Sequence, residues 1–196
     1  MQQNEQGNAN SFGNASVVRS AGQKEDANAR GRFLVRCIGK DGHLKWKDTI
    51  ENVVTTVGKN LALDTFLAGS GYTVVGPFMG LISSVDYTTG PAVGDTMTSH
   101  GGWKEAGGTN APTYTAPRKT CAWNAASGGS KALSAALSFS ITGTGTVKGC
   151  FLVFGTGALS TIDNTAGTLY SAGLFTLGDK LVADTDVLLV SYTGSL

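Results

Sequence analysis

The sequence predicts an all-β domain: a β-sandwich or jelly-roll-like body of about eight strands, with one short helix and an extended N-terminal arm. Three observations predict it. Short runs of alternating or β-branched apolar residues recur from residue 33 onward, separated by turn-forming residues. Gly accounts for 28 of the 196 residues, about twice average usage. Charged residues are only 15%, against about 25% in typical domains, which suggests a surface covered by partner chains. Abundant Thr, Ser and Ala suit pleated surfaces and tight turns better than long helices. A closed barrel is the alternative architecture. No internal repeat is apparent, which argues against a solenoid or propeller.

Two parts are expected. Residues 1–30 are dominated by Gln, Asn, Gly, Ala and Ser, with Met1, Phe12, Val17 and Val18 as the only sizeable apolar groups. Such a segment cannot offset its ordering entropy by its own burial. It is either a floppy tail or an arm that orders on a neighbouring subunit, with Phe12, Val17 and Val18 as anchors. Residues 31–196 form a single β-rich domain, large enough to bury a core without disulfides or metal.

The pattern changes abruptly at Gly31. Phe33–Ile38 is apolar and β-branched, Gly39-Lys-Asp-Gly42 carries the Asp-Gly hairpin signal, and His43–Ile50 alternates. Leu44, Trp46 and Ile50 share one face of that strand, and Asp48 breaks the apolar row. Lys59–Ala68 is the one helix candidate, with Leu63, Phe66 and Leu67 as its core face and Gly69 as its stop. Pro77–Ser83 reads as a strand. Residues 85–116 form a long irregular region, a length usually tied to function or an interface. Short helical pieces near Thr96–His100 are possible there, N-capped by Asp95. Further strands are expected over Arg118–Trp123, Lys131–Thr142, Thr146–Phe154, Thr168–Phe175 and Val187–Thr193, with a possible short one over Leu177–Leu181. Gly143-Thr-Gly145 reads as a turn. Thr146–Phe154 is apolar on both faces, Val147, Phe151 and Val153 against Cys150, Leu152 and Phe154, which suggests a central strand covered on both sides.

Composition also excludes classes. Fifteen basic and 14 acidic residues give a net charge of +1, with no Lys/Arg block that would mark a nucleic-acid site. Apolar stretches are too short for a membrane span, and the N-terminus lacks the apolar region of a signal peptide. Cys37, Cys121 and Cys150 are odd in number and far apart. They match no metal spacing, and at least Cys37 and Cys150 read as buried free thiols, which suits assembly in a reducing cytoplasm.

Chemistry is sparse. His43 sits beside the hairpin turn and reads as exposed. His100 lies in Ser-His-Gly-Gly-Trp103. Acid–base work by His100 would need Asp95 or Asp86 within hydrogen-bond reach, and a loop-fixing role is the stronger reading. No nucleophile elbow, zinc-protease helix or phosphate loop is present. Asp179, Asp184 and Asp186 form the densest acidic group, but their spacing does not match a calcium loop. Trp46, Trp103 and Trp123 read as core or interface anchors. No catalytic, cofactor or metal residue is assigned.

Three stretches carry a resemblance. They are Phe33–Leu67, including Gly-Lys-Asp-Gly, Leu-Lys-Trp-Lys and Glu51-Asn-Val-Val-Thr-Thr-Val-Gly-Lys-Asn-Leu-Ala-Leu-Asp-Thr-Phe-Leu67; Met79-Gly-Leu-Ile82 with Gly94-Asp-Thr-Met-Thr-Ser-His-Gly-Gly-Trp103; and Thr144–Phe154 with Gly167-Thr-Leu-Tyr-Ser-Ala-Gly173. Together they resemble a group of small structural proteins of tailed bacteriophages whose genes tend to lie near the major capsid gene. The resemblance covers about residues 31–194. It implies a virion component assembled in the host bacterial cytoplasm: a capsid decoration or cement protein bridging capsid subunits. A tail, fibre or collar attachment protein is the alternative, and a carbohydrate-binding domain a third. Expected partners are the major capsid protein and copies of the chain itself, as a dimer or trimer, with no nucleic acid and no membrane. Contacts are expected through Phe12, Val17, Val18 and the 85–116 region with Asp95, His100 and Trp103.

Overall fold

The computed structural model describes residues 28–67 and 75–195. Phe12, Val17 and Val18 lie outside them, as does Gly69. Among the described residues, thirteen strands and one helix follow in chain order. They are β1 (Arg30–Ile38), β2 (Leu44–Glu51), β3 (Val53–Val54), α1 (Thr56–Leu67), β4 (Phe78–Ser83), β5 (Lys104–Glu105) and β6 (Thr113–Tyr114), then β7 (Lys119–Thr120), β8 (Ser130–Ala132), β9 (Leu137–Gly143), β10 (Gly145–Phe154), β11 (Thr168–Leu174), β12 (Lys180–Val182) and β13 (Val187–Ser195).

The fold is an all-β sandwich of two antiparallel sheets. The first runs β2-β1-β13-β9-β6, with β8 beside the far end of β13. The second runs β3-β11-β10-β4-β5, with β12 beside β10 and β7 beside β4. Each predicted strand has a counterpart, but Arg118–Trp123 shrinks to the two residues of β7, and the short strand expected over Leu177–Leu181 forms instead as β12 at Lys180–Val182. The excess over eight comes from two- or three-residue strands inside the long loops and from one break. That break splits the Lys131–Thr142 segment at residues 133–136: β8 pairs Thr193–Ser195 while β9 pairs Val187–Val190.

The β1–β2 hairpin forms as its alternation dictates. Gly39 N–H reaches His43 O at 2.8 Å and closes the turn. Phe33, Val35 and Cys37 point inward with Ile50 of β2. Met79 and Leu81 of β4 and Val147, Cys150 and Leu152 of β10 meet them from the second sheet. β10 is central and buried on both faces, and Phe151 and Val153 belong to a second apolar cluster on the far side. One face assignment fails. A register shift between Val147 and Gly149 turns Val147 to the inter-sheet core, opposite the side taken by Phe151. One extra residue in a strand of period two moves every later side chain to the other face. The Gly143-Thr-Gly145 turn is not a hairpin either. β9 and β10 belong to different sheets, so these residues carry the chain across the sandwich.

The helix forms, but two of the three residues expected on its core face, Leu63 and Leu67, face solvent, and the side chain of Phe66 lies outside what is described. Thr55 caps it: its hydroxyl accepts the Gly58 N–H at 3.0 Å. Gly58 packs on β11 so tightly that a Cβ there would meet the Tyr170 carbonyl oxygen at 2.4 Å. That close approach orients the seam through Gly58, Leu61 and Ala62 and leaves Leu63 and Leu67 exposed, at 56% and 70%.

Two ion pairs clasp one edge of the sandwich. Asp48, on the inner face of β2, takes Lys180 of β12 at 2.8 Å and the Leu177 N–H at 3.1 Å. Asp186 takes Lys45 of β2 at 2.6 Å and the Ala183 N–H at 2.8 Å. Trp46 lies between them and donates its indole N–H to Leu181 O. Burial works to raise both carboxyls, but these donors together outweigh it and hold both below the ordinary carboxylate value. A depressed native pKa gives stability that is present above the unfolded value and lost as pH falls through the native one. Unfolding midpoints are therefore expected to hold level for these groups down to about pH 5 and to fall below roughly pH 4. In Asp48→Asn and Asp186→Asn the acid limb of a thermal-melt series should be shallower, and a limb as steep as the parent's would remove these carboxylates from the account.

Candidate functional site

Residues 85–103 fold over the outer face of the second sheet, together with residues 155–167, and the rest of the 85–116 region runs along the sheet edges, with β5 in the second sheet and β6 in the first. The region contains no helix: Thr96–His100 is irregular loop with a bend at Met97 and Thr98, so Asp95 caps nothing helical. Instead Asp95 Oδ2 accepts from the Ala92 N–H and the Trp103 indole N–H, each at 3.0 Å. A carboxylate one loop away from an indole gains more from that bond than from starting a four-residue helix.

Three sequence candidates meet here. Trp103 is buried against Phe151, ring centroids 5.5 Å apart. The His100 ring stacks on Trp103 at 4.1 Å. His100 Nδ1 lies 3.0 Å from the Trp103 carbonyl oxygen. A carbonyl only accepts, so Nδ1 carries the proton. Asp95, His100 and Trp103 thus form one closed loop-fixing unit. No acid–base pair forms: Asp95 is engaged by Trp103 and Asp86 by Lys104, and neither bonds His100. Phe12, Val17 and Val18 are not part of this site, since they fall outside the described residues.

Beneath the unit lies an ion pair that sequence reasoning missed. Arg118, 1% exposed, grips Glu105 through Nε–Oε1 at 2.8 Å and Nη2–Oε2 at 2.7 Å. Nη1 donates to Leu159 O at 3.0 Å and Nη2 to Asn164 O at 2.7 Å. The Asp163 N–H donates to Glu105 Oε2 at 2.8 Å. One guanidinium therefore ties β5, the segment before β7 and the 155–167 loop together, over the ring of Phe151 at 5.4 Å. Burial pushes the Glu105 carboxyl above its ordinary value, against the opposing pull of Arg118. Neither residue carried a signal. The two are 13 positions apart across an irregular loop, and each looks like an ordinary surface charge.

A cleft of about 260 Å³ opens beside this pair, lined by His100, Lys104, Thr109, Asn110, Asp163 and Thr165 among others. A shallower depression by Thr98, Ser99 and Gly101 adjoins it. The cleft falls below the roughly 300–1,000 Å³ of typical ligand pockets, and the adjoining depression, about 440 Å³, lies within that range but is open to solvent. It offers hydroxyl, amide and Lys–Asp contacts. Trp103 is buried, with His100 stacked on it, which leaves the indole unsuited to stack on a sugar.

The cysteines are buried and free. Burial pushes the Cys37 and Cys121 thiols up to about 12 and that of Cys150 higher still. Thiols so held are poor nucleophiles at neutral pH. His43 is exposed. Among the described residues no group of three His, Cys, Asp or Glu side chains is placed to hold a metal ion, and no helix is long and apolar enough to cross a membrane. Comparison with family models, with curated proteins and with solved structures yields no match to this chain.

Proposed function

We propose that this chain is a structural component of a phage particle, a decoration or cement protein that sits on the head and bridges capsid subunits. The observation that carries this reading is one exposed apolar edge of the sandwich. Leu44, Leu177 and Leu181 are each more than half exposed. All three lie on the strands and turn joined by the Lys180–Asp48 and Lys45–Asp186 clasp. A rigid edge carrying exposed leucines suits coverage by another chain. The likeness to small phage structural proteins points the same way. Polar groups support it too, since buried Arg118 and Glu105 and half-buried Asp95 fasten loops to the sandwich.

The mechanism is mechanical. The sandwich bridges neighbouring capsid subunits, with copies of itself or with the major capsid protein as partners. Each interface adds binding free energy that expansion or bursting of the shell must first break. A closed dimer or trimer on a local symmetry axis fits this role.

The test uses purified capsids, the full chain and a chain lacking residues 2–27, which leaves β1 whole. The full chain is expected to stay on the capsids at hundreds of copies per particle, on the order of one per few capsid subunits. Its truncated form should wash off. A copy number in the tens or below would move the protein to a tail, fibre or collar. No retention of the full chain would end the particle reading.

A further inference from the structure

The outward face of the first sheet carries a charge pattern that the balanced composition hides. β1 alternates without a break: Gly31, Phe33, Val35 and Cys37 are buried, while Arg30, Arg32, Leu34 and Arg36 point away from the core. The hairpin register sets Glu51 opposite Arg32, Thr49 opposite Leu34 and Lys47 opposite Arg36. On the other flank β13 sets Thr193, Ser191 and Leu189 opposite the same three β1 residues. Four cations, Arg30, Arg32, Arg36 and Lys47, therefore share this face with one carboxylate, Glu51, in a chain of 15 basic and 14 acidic residues. Glu51 is engaged by Arg32 at 3.1 Å. Among the described residues, Arg30, Arg36 and Lys47 form no ion pair.

The Arg36–Lys47 pair is the informative feature. Like charges directly opposite on neighbouring strands repel and cost stability. A carboxylate at either position would turn that repulsion into attraction. The arrangement makes sense where a binding partner supplies the negative charge.

We propose that this face docks an acidic protein surface, with Arg32, Arg36 and Lys47 as the charge contacts and Leu34 at the centre. Leu34 is 43% exposed in the middle of the cation row. Protein interfaces combine an apolar centre with arginine, whose fork grips carboxylates at two points. A nucleic-acid strand would leave Leu34 against phosphate, and the outward residues of β1, β2, β9 and β13 include no aromatic ring on which a base could stack. The inference stands apart from the phage-particle reading: it concerns the chemistry of the partner, whichever assembly the partner belongs to.

The test measures fluorescence anisotropy of a labelled twelve-residue polyglutamate peptide against the full chain, at an ionic strength of about 0.05 M to limit screening. A thymidine oligonucleotide of the same length and a neutral Gly-Ser peptide run in parallel. Polyglutamate is expected to bind, and Lys47→Glu to weaken it by about tenfold or more. Arg36→Gln should produce a smaller loss. Lys59→Glu, on the exposed side of α1, should leave binding unchanged. Lys47→Glu should also melt no lower than the parent, because it places a carboxylate opposite Arg36. Three results would overturn the proposal: no polyglutamate binding, an equal loss in Lys59→Glu, or tighter thymidine binding that the same variants abolish. The last would identify the face as a nucleic-acid site.

Discussion

Arg118→Ala is expected to cost about 3–5 kcal/mol of folding stability, as loss of one partner from a buried ion pair does. Arg118 is 1% exposed and Glu105 6%, so truncation leaves a carboxylate without its counter-ion and two carbonyls, of Leu159 and Asn164, without their donors. Urea denaturation of parent and variant measures the loss. Glu105→Gln should cost an amount of the same order, since it strands the guanidinium instead. The double variant Arg118→Met, Glu105→Leu should recover much of it, because well-packed apolar side chains often replace such a pair at little cost. A pH series adds a signed check. Burial already raises the Glu105 carboxyl, and removal of Arg118 takes away the group that opposes the rise. A raised native pKa favours the neutral acid, so the deficit of Arg118→Ala should be smallest below the unfolded value near pH 4 and grow as pH rises through the native one. Single variants within about 1 kcal/mol of the parent would show that the loops are held by other contacts.

What the sequence revealed and what it hid divide along contact distance. The β1–β2 hairpin was legible because its alternation and its Asp-Gly turn are local. Burial of Cys37 and Cys150 and the two-sided cover of β10 followed from apolar runs alone. The helix was legible as a helix, but its buried face was not. Leu63 and Leu67 sit at helical spacing and stay exposed, because the packing face is chosen by Gly58 approaching the backbone of Tyr170. Nothing within the helix encodes that approach. The break between β8 and β9 was invisible because residues 133–136 continue the alternation, and only the register along β13, where these four residues stand opposite just Ser191 and Tyr192, interrupts the strand. In the site, His100 and Trp103 stood out as rare residue types. Arg118 and Glu105 did not, since an ion pair made across a loop leaves no periodic trace. The basic face is the reverse case: a net charge of +1 with no Lys/Arg block gives no sign of it, yet strand alternation and register collect Arg30, Arg32, Arg36 and Lys47 on one side.

Gly149→Ala is expected to be the most damaging single-methyl change in the body, at about 3 kcal/mol or more, the upper end for overpacking. The backbone at Gly149 is open to any residue, so the objection is space. A Cβ there would lie 1.8 Å from the Gly173 carbonyl oxygen and 3.0 Å from the Leu174 Cα, both backbone atoms of β11. Relief requires β11 to move away from β10 by more than an ångström. It cannot retreat freely. On its other side Gly173 lies so close to Ile50 and Glu51 of β2 that a Cβ there would meet them at 2.5 and 2.9 Å. Ile50 belongs to the first sheet and packs in the inter-sheet core. The strain therefore passes from β10 through β11 into the opposite layer, rather than relaxing at an edge. Gly94→Ala is the matched control: nothing lies within 4 Å of its added methyl, and the substitution should be neutral or stabilise by a few tenths of a kcal/mol through the unfolded chain. Urea midpoints of the two variants, measured side by side, test the close contact of β10 with β11 directly. Equal midpoints would mean that β11 has room to yield. The sandwich would then be too loosely coupled, layer to layer, to transmit load between the partners it is proposed to bridge.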